Sequence, residues 1–159
     1  MPIGTKSSKI NISKEIDTKL ISKIISNHLV NGDIVFLYGE IGVGKTTFVK
    51  YLINFLQKKN KEKTTEVPSP TFNVVNEYLI KKQKFIHYDL YRIKDETELN
   101  NIGLFEDSKN CISFVEWPEV IKRKPKNRID LYFNYEKNFK KRNLIISTDY
   151  KKKIFNEFK

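Results

Sequence analysis

Along the 159 residues, apolar positions recur with two periods, and the period changes at glycine, asparagine and proline. Ile16, Leu20, Ile21, Ile24, Ile25 and Leu29 follow helical spacing, with Ser13 as the predicted N-cap and Asn31-Gly32 as the stop. Ile34–Tyr38 is a short continuous apolar run, the pattern of a central strand buried on both faces. Phe48, Tyr51, Leu52, Phe55 and Leu56 mark one face of a second helix, which runs out into the polar stretch 58–63. Residues 72–80 and 84–90 read as two strands joined by a short polar turn, an antiparallel hairpin. A weakly helical stretch follows over 95–104, with Gly103 near its end, and then an apolar strand over 111–117 closed by Pro118. Two last strands, 128–135 and 143–148, flank a basic turn. Helices interleave with strands and no repeat or Gly/Ser linker divides the chain, so one α/β domain spanning 1–159 is predicted, with a mixed parallel/antiparallel central sheet.

The junction between the first apolar strand and the second helix carries the sharpest chemistry. Gly39-Glu-Ile-Gly-Val-Gly44-Lys45-Thr46 matches Gly-x4-Gly-Lys-Thr, and its position between strand and helix is the context of a P-loop. Gly42 and Gly44 let successive backbone N–H groups turn inward as an anion nest, and the helix that follows adds the positive end of its dipole. Such a loop binds nucleotide phosphates through residues 42–47, with Lys45 on the β- and γ-phosphates and the Thr46 hydroxyl on Mg²⁺. The side chain of Glu40, an acid inside an anion cradle, is expected to face solvent. The predicted architecture is therefore a P-loop NTPase-like three-layer fold, with ATP and Mg²⁺ as the expected ligands.

A P-loop needs carboxylates at the ends of neighbouring strands. Asp89 lies in a strand whose Ile86, Tyr88 and Leu90 share one face and His87, Asp89 and Tyr91 the other. Glu116 ends the strand over 111–117. Both stand where an acid would hold Mg²⁺ or position an attacking water. His87 reads more naturally as a hydrogen-bond partner than as a base, and Trp117 reads equally as core filling or as a neighbour of the nucleotide.

Composition refines this picture. The 39% apolar and 13% aromatic content supports a buried core, and the lone Cys111 excludes a disulfide framework or a cysteine-based zinc site. No apolar run approaches bilayer length and the first residues carry no apolar signal-type segment, so a cytoplasmic protein without membrane contact is expected. The net charge of +11 points towards nucleic acid, yet only Arg92, Arg123, Arg128 and Arg142 are arginine. The chain is rich in Ile, Asn, Phe and Tyr, so lysine on a solvated surface also follows from AT-rich coding, and arginine forks are the usual readers of phosphates and bases. From Val120 onward thirteen basic residues oppose four acids, a face suited to RNA or an acidic protein.

Four segments occur in order: Leu37-Tyr-Gly-Glu-Ile-Gly-Val-Gly-Lys-Thr-Thr-Phe48, Val67-Pro-Ser-Pro-Thr-Phe72, His87-Tyr-Asp-Leu-Tyr-Arg92 and Phe114-Val-Glu-Trp-Pro-Glu119. Together, over nearly the whole chain, they resemble the TsaE (formerly YjeE) family, the ATPase of bacterial tRNA threonylcarbamoyladenosine biosynthesis. The resemblance implies an ATP-hydrolysing subunit that sustains turnover of TsaD-like and TsaB-like partners. Those partners modify adenosine 37, and this chain would meet tRNA only through them. It further implies that residues Gly42, Val43, Gly44, Lys45, Thr46 and Thr47 bind the phosphates. Thr46 would ligate Mg²⁺, Glu116 would sit by metal and water, and Asp89 would support that shell. Thr71 would face the γ-phosphate in a switch-like loop, Trp117 would flank the nucleotide, and Glu15 would approach the base. One residue of Lys140-Lys141-Arg142, taken as Lys141, would supply another nucleotide contact. The rival readings are a P-loop small-molecule kinase, which would need an arginine-bearing lid, and a nucleotide-switched binding module contacting tRNA.

Overall fold

The computed structural model describes residues 5–158; residues 1–4 and 159, which belong to the N-terminal and basic C-terminal stretches discussed above, lie outside it. Its elements are β1 (Thr5–Lys6), β2 (Ile10–Asn11), α1 (Glu15–Ser26), β3 (Ile34–Tyr38), α2 (Lys45–Lys59), β4 (Val75–Ile80), β5 (Gln83–Asp89), α3 (Glu96–Asn101), β6 (Cys111–Glu116), β7 (Ile129–Glu136) and β8 (Lys141–Thr148). The sheet runs β1-β8-β7-β3-β6-β5-β4, with β2 also on β8. The central neighbours β7, β3, β6 and β5 are parallel, while β4 and β8 join antiparallel on either side. The sheet is thus mixed and the class is α/β.

Strand alternation divides the core into two layers. On β3, Val35 and Leu37 face a cluster with Ile21, Ile25, Phe48, Leu52 and Ile53 of α1 and α2. Ile34 and Phe36 face a second cluster with Leu99, Cys111, Val115 and Ile121. Helices on one face and the α3 region on the other make three layers.

The structure corrects several details of the predicted elements. The helix predicted from Ser13 begins at Glu15, with Lys14 at the N-cap position. The Ser13 hydroxyl is engaged elsewhere: it accepts from the Arg142 amide at 3.0 Å. Ile16 and Leu20, which share the helical spacing, are 62% and 56% exposed. The buried stripe is instead Thr18, Ile21, Ser22 and Ile25, because the Ser22 hydroxyl, donating to Thr18 O at 2.7 Å and reaching Phe48 O at 3.1 Å, lets α1 approach α2 closely. The strand predicted from residue 72 starts at Val75, leaving Phe72 81% exposed. The short edge strands β1 and β2 and the 3-10 segment Lys152–Phe158 have too little periodicity to be read from sequence. The last is anchored by Asp33, whose carboxylate accepts from Tyr150 Oη at 2.7 Å and forms an ion pair with Lys151 Nζ at 2.7 Å.

Candidate nucleotide site

The parallel strands β3, β5 and β6 end together, and their C-terminal ends deliver the loop and the two acids to one place. The register pairs Leu37 with Glu116 and Asp89 with Glu116, so both carboxylates stand beside the turn that leaves β3. Ligands of open α/β sheets bind at this edge.

The loop needs glycine for measurable reasons. Gly39 has φ +143°, and a Cβ there would lie 2.6 Å from Phe133 O. Gly44, with φ +118°, is the residue before the first turn of α2. Helix geometry leaves the first amides of α2 without intrahelical acceptors, so the turn beginning at Lys45 presents donors to an anion. Val43 contributes only backbone to this cradle, because its side chain is buried in the α1–α2 core.

Lys45 is 4% exposed. Its Nζ donates to Gly39 O and, at 2.9 Å, to Glu40 O, and lies 4.2 Å from the centre of the Trp117 ring. Burial holds the Lys45 ammonium below its ordinary pKa, while the Glu116 and Asp89 carboxylates oppose that shift. The Glu40 side chain is exposed, as expected, and only its carbonyl serves the site.

Glu116 and Asp89 are each 3% exposed. Thr46 Oγ1 donates to Glu116 Oε1 at 2.7 Å, and His87 Nε2 contacts the same oxygen at 2.8 Å. Asp89 Oδ2 accepts from Ser69 Oγ at 2.7 Å and Thr71 Oγ1 at 2.8 Å, and its Oδ1 accepts from the Tyr91 amide at 3.0 Å. Glu116, Asp89, Ser69, Thr71 and Tyr91 line a cavity of about 370 Å³ together with Gly42, Gly44, Lys45, Thr46, Thr47 and Trp117; His87 lies behind Glu116 and outside this lining. Trp117 adopts φ +56°, a left-handed conformation, and packs its ring 5.0 Å from that of Tyr91.

The donor set suits a hard cation. Among the described residues no group of three His, Cys, Asp or Glu side chains could cage a metal. What is present is one hydroxyl hydrogen-bonded to one carboxylate, with a second carboxylate on the neighbouring strand. Mg²⁺ is characteristically held this way, by one or two protein oxygens plus substrate phosphates and water.

Two expected contacts are not brought to the cavity. Glu15 is exposed and hydrogen-bonds Tyr51 Oη. Lys141 is exposed and pairs with Glu136 in the β7–β8 ladder. Its neighbour Arg142 is the one beside the loop, with Nη1 3.9 Å from where a Gly44 Cβ would stand. Ser69 and His87 belong to the motifs but were not among the expected site residues. The signal for His87 was its two-residue offset from Asp89, which puts both on one face of β5.

Fold and cradle together define a protein of P-loop type. The family model for threonylcarbamoyl adenosine biosynthesis protein TsaE matches residues 12–144, and the chain belongs to that family. It is 40% identical over 111 residues to an Aquifex aeolicus tRNA threonylcarbamoyladenosine biosynthesis protein TsaE, covering 70% of this chain and 77% of that one. The Rickettsia prowazekii protein of that name is 38% identical over 113 residues, with 71% and 74% covered. For the Rickettsia conorii protein the identity is 35% over 111 residues, and the match spans 61% of that relative's length. A crystal structure of Bacillus subtilis YdiB shares the fold, with a TM-score of 0.73 at 21% identity over 99% of this chain and 96% of that one.

Proposed function

We propose that this chain binds and hydrolyses MgATP in support of tRNA threonylcarbamoyladenosine formation, as the ATPase subunit that sustains TsaD-like and TsaB-like partners. The observation that carries this reading is the hydrogen bond from Thr46 to Glu116. It joins the P-loop helix to a strand-end carboxylate in the wall of a cavity of about 370 Å³.

The roles follow from position. The amides of residues 42–47 and the start of α2 cradle the phosphates. Lys45, now held by Gly39 and Glu40 carbonyls, turns to the β- and γ-phosphates and places a positive charge where negative charge develops. Thr46, with Glu116 and Asp89 beside it, would hold Mg²⁺, which would supply charge neutralisation at the phosphate oxygens. Glu116 orients the attacking water and accepts its proton. The Ser69-Pro-Thr71 segment, tied to Asp89 through both hydroxyls, is the part of the wall that meets the γ-phosphate. Trp117 flanks the nucleotide and packs on Lys45.

Among the described residues no arginine lines the cavity: Arg142, beside Gly44, donates its guanidinium to Ser13 O at 3.4 Å, and Arg92 is held over the exposed Phe72 ring at 4.7 Å. Hydrolysis by the chain alone is therefore slow. A partner that supplies an arginine would raise it by on the order of 10³–10⁵. The same shortage of arginine disfavours a kinase lid. The chain acts in the cytoplasm, and among the described residues no helix is long and apolar enough to cross a membrane. Phosphate release from MgATP by the full chain, with and without the partner subunits, tests the proposal. Slow release that the partners accelerate is expected; turnover of many per second alone with no response to partners would contradict it.

A further inference from the structure

We infer that His87 is a positioning residue for Glu116, fixing this carboxylate from the neighbouring strand β5. The inference rests on the proposed hydrolytic role of Glu116. Three observations carry it.

The first is a shared oxygen. Glu116 Oε1 meets two partners, the Thr46 hydroxyl at 2.7 Å and His87 Nε2 at 2.8 Å. An ionised carboxylate can only accept, so the hydroxyl and the ring N–H both donate to it. With Oε1 occupied twice, Oε2 is the oxygen left for water or for the metal shell.

The second is an asymmetry within the imidazole. His87 is 0% exposed, and its Nδ1 has no hydrogen-bond partner among the described residues. A ring carrying its proton on Nε2 leaves Nδ1 a bare lone pair. The opposite tautomer would bury an unpaired N–H and turn a lone pair towards the carboxylate. The pair is therefore built in one direction, from Nε2–H to Oε1, and the ring's single donor is committed to Glu116.

The third is independence from the phosphate cradle. The Thr46 hydroxyl has one proton, given to Glu116, and lone pairs that would be free for Mg²⁺, so its bond to Glu116 belongs to the P-loop helix. His87 sits on β5, two residues from Asp89, in a strand paired with the Glu116 strand along its length. Its bond to Glu116 does not pass through the P-loop. A ligating or water-holding carboxylate fixed by an outer hydrogen bond is the arrangement in which loss of the outer partner costs about 10–100-fold in activity.

The experiment uses the full chain with His87→Met, which keeps bulk without a donor, and His87→Gln, whose amide reaches a similar point with one. Single-turnover phosphate release from MgATP is expected to fall about 10–100-fold in His87→Met and to recover to within a few-fold in His87→Gln. Affinity for a non-hydrolysable ATP analogue should stay within about threefold in both, because His87 does not touch the phosphate cradle. In a Glu116→Ala background, adding His87→Met should change nothing further, since the residue it positions is gone. Wild-type rates in His87→Met, equal losses in Met and Gln variants, or an undiminished effect in the Glu116→Ala background would each overturn the inference. Nitrogen-15 NMR of the unmodified protein reads it without any variant: the Nε2–H tautomer of His87 is expected, and the Nδ1–H tautomer would overturn it. Glu116→Ala with wild-type hydrolysis would contradict the proposed function itself. Glu116→Ala slow beside His87→Met at full rate would remove only the role given to His87.

Discussion

Lys45→Ala separates binding from folding in this molecule. The side chain is 4% exposed, and burial depresses its pKa, so folding disfavours its charged form. It donates to the Gly39 and Glu40 carbonyls and lies over Trp117, all within one loop and one strand end. Truncation removes those contacts together with the cost of a desolvated ammonium. Only a small change in stability is expected, within about 1 kcal/mol. Binding is different. Hydrogen bonds to charged partners contribute about 1.5–3 kcal/mol each, so losing the contacts to the β- and γ-phosphates removes about 3 kcal/mol or more. At about 1.4 kcal/mol per tenfold, that is at least about 100-fold in Kd. Titration calorimetry with a non-hydrolysable ATP analogue and Mg²⁺, beside a thermal melt of each protein, measures both quantities. Lys45→Arg should not restore affinity, because a planar guanidinium does not fit the place of a compact ammonium. A variant that melts normally and binds within threefold of wild type would refute the role assigned to Lys45.

Other expectations follow from the same geometry. Glu116→Gln should keep nucleotide affinity and lose about 10²–10⁴-fold in hydrolysis, as expected for removal of a general base, and a rate within tenfold of wild type would count against Glu116. Asp33→Ala should cost about 1–3 kcal/mol in urea unfolding, because it removes the acceptor of the Tyr150 hydroxyl and the Val30 amide and the counter-charge of Lys151; a loss below about 0.5 kcal/mol would show that the segment is not anchored there. Burial, and then the hydrogen bond to Asp33, push the Tyr150 phenol above its ordinary value. Its folded pKa exceeds the unfolded one, so its contribution is complete below about pH 10 and is lost as pH rises beyond that. Stability measured from pH 9 to 11 should fall less steeply in Tyr150→Phe than in wild type, and identical slopes would contradict the assignment.

The parts of the fold set by local chemistry were legible from sequence. The loop after β3 announced itself through glycine spacing between an apolar strand and an amphipathic helix. Asp89 and Glu116 stood out because each closes an apolar strand, and the parallel register then sets them side by side. What stayed hidden depends on contacts distant in the chain. Ile16 and Leu20 fit the helical pattern as well as Ile21 and Ile25 do; only the approach of α1 to α2 through Ser22 decides which face is buried. The bond between Ser13 and Arg142 spans most of the chain, and no local pattern predicts that it displaces the N-cap or brings Arg142 rather than Lys141 to the loop. Likewise, strand alternation placed His87 beside Asp89, but its bond to Glu116 requires the neighbouring strand.

The central claim is that ATP hydrolysis at Glu116 keeps a partner complex turning over. The most direct measurement is reconstituted threonylcarbamoyl transfer to tRNA by TsaD-like and TsaB-like subunits, followed over several turnovers with no added chain, with wild type and with Glu116→Ala. The account predicts sustained modification only with wild type, while Glu116→Ala stalls near the level reached without the chain. Multiple turnovers with Glu116→Ala equal to those with wild type would contradict it.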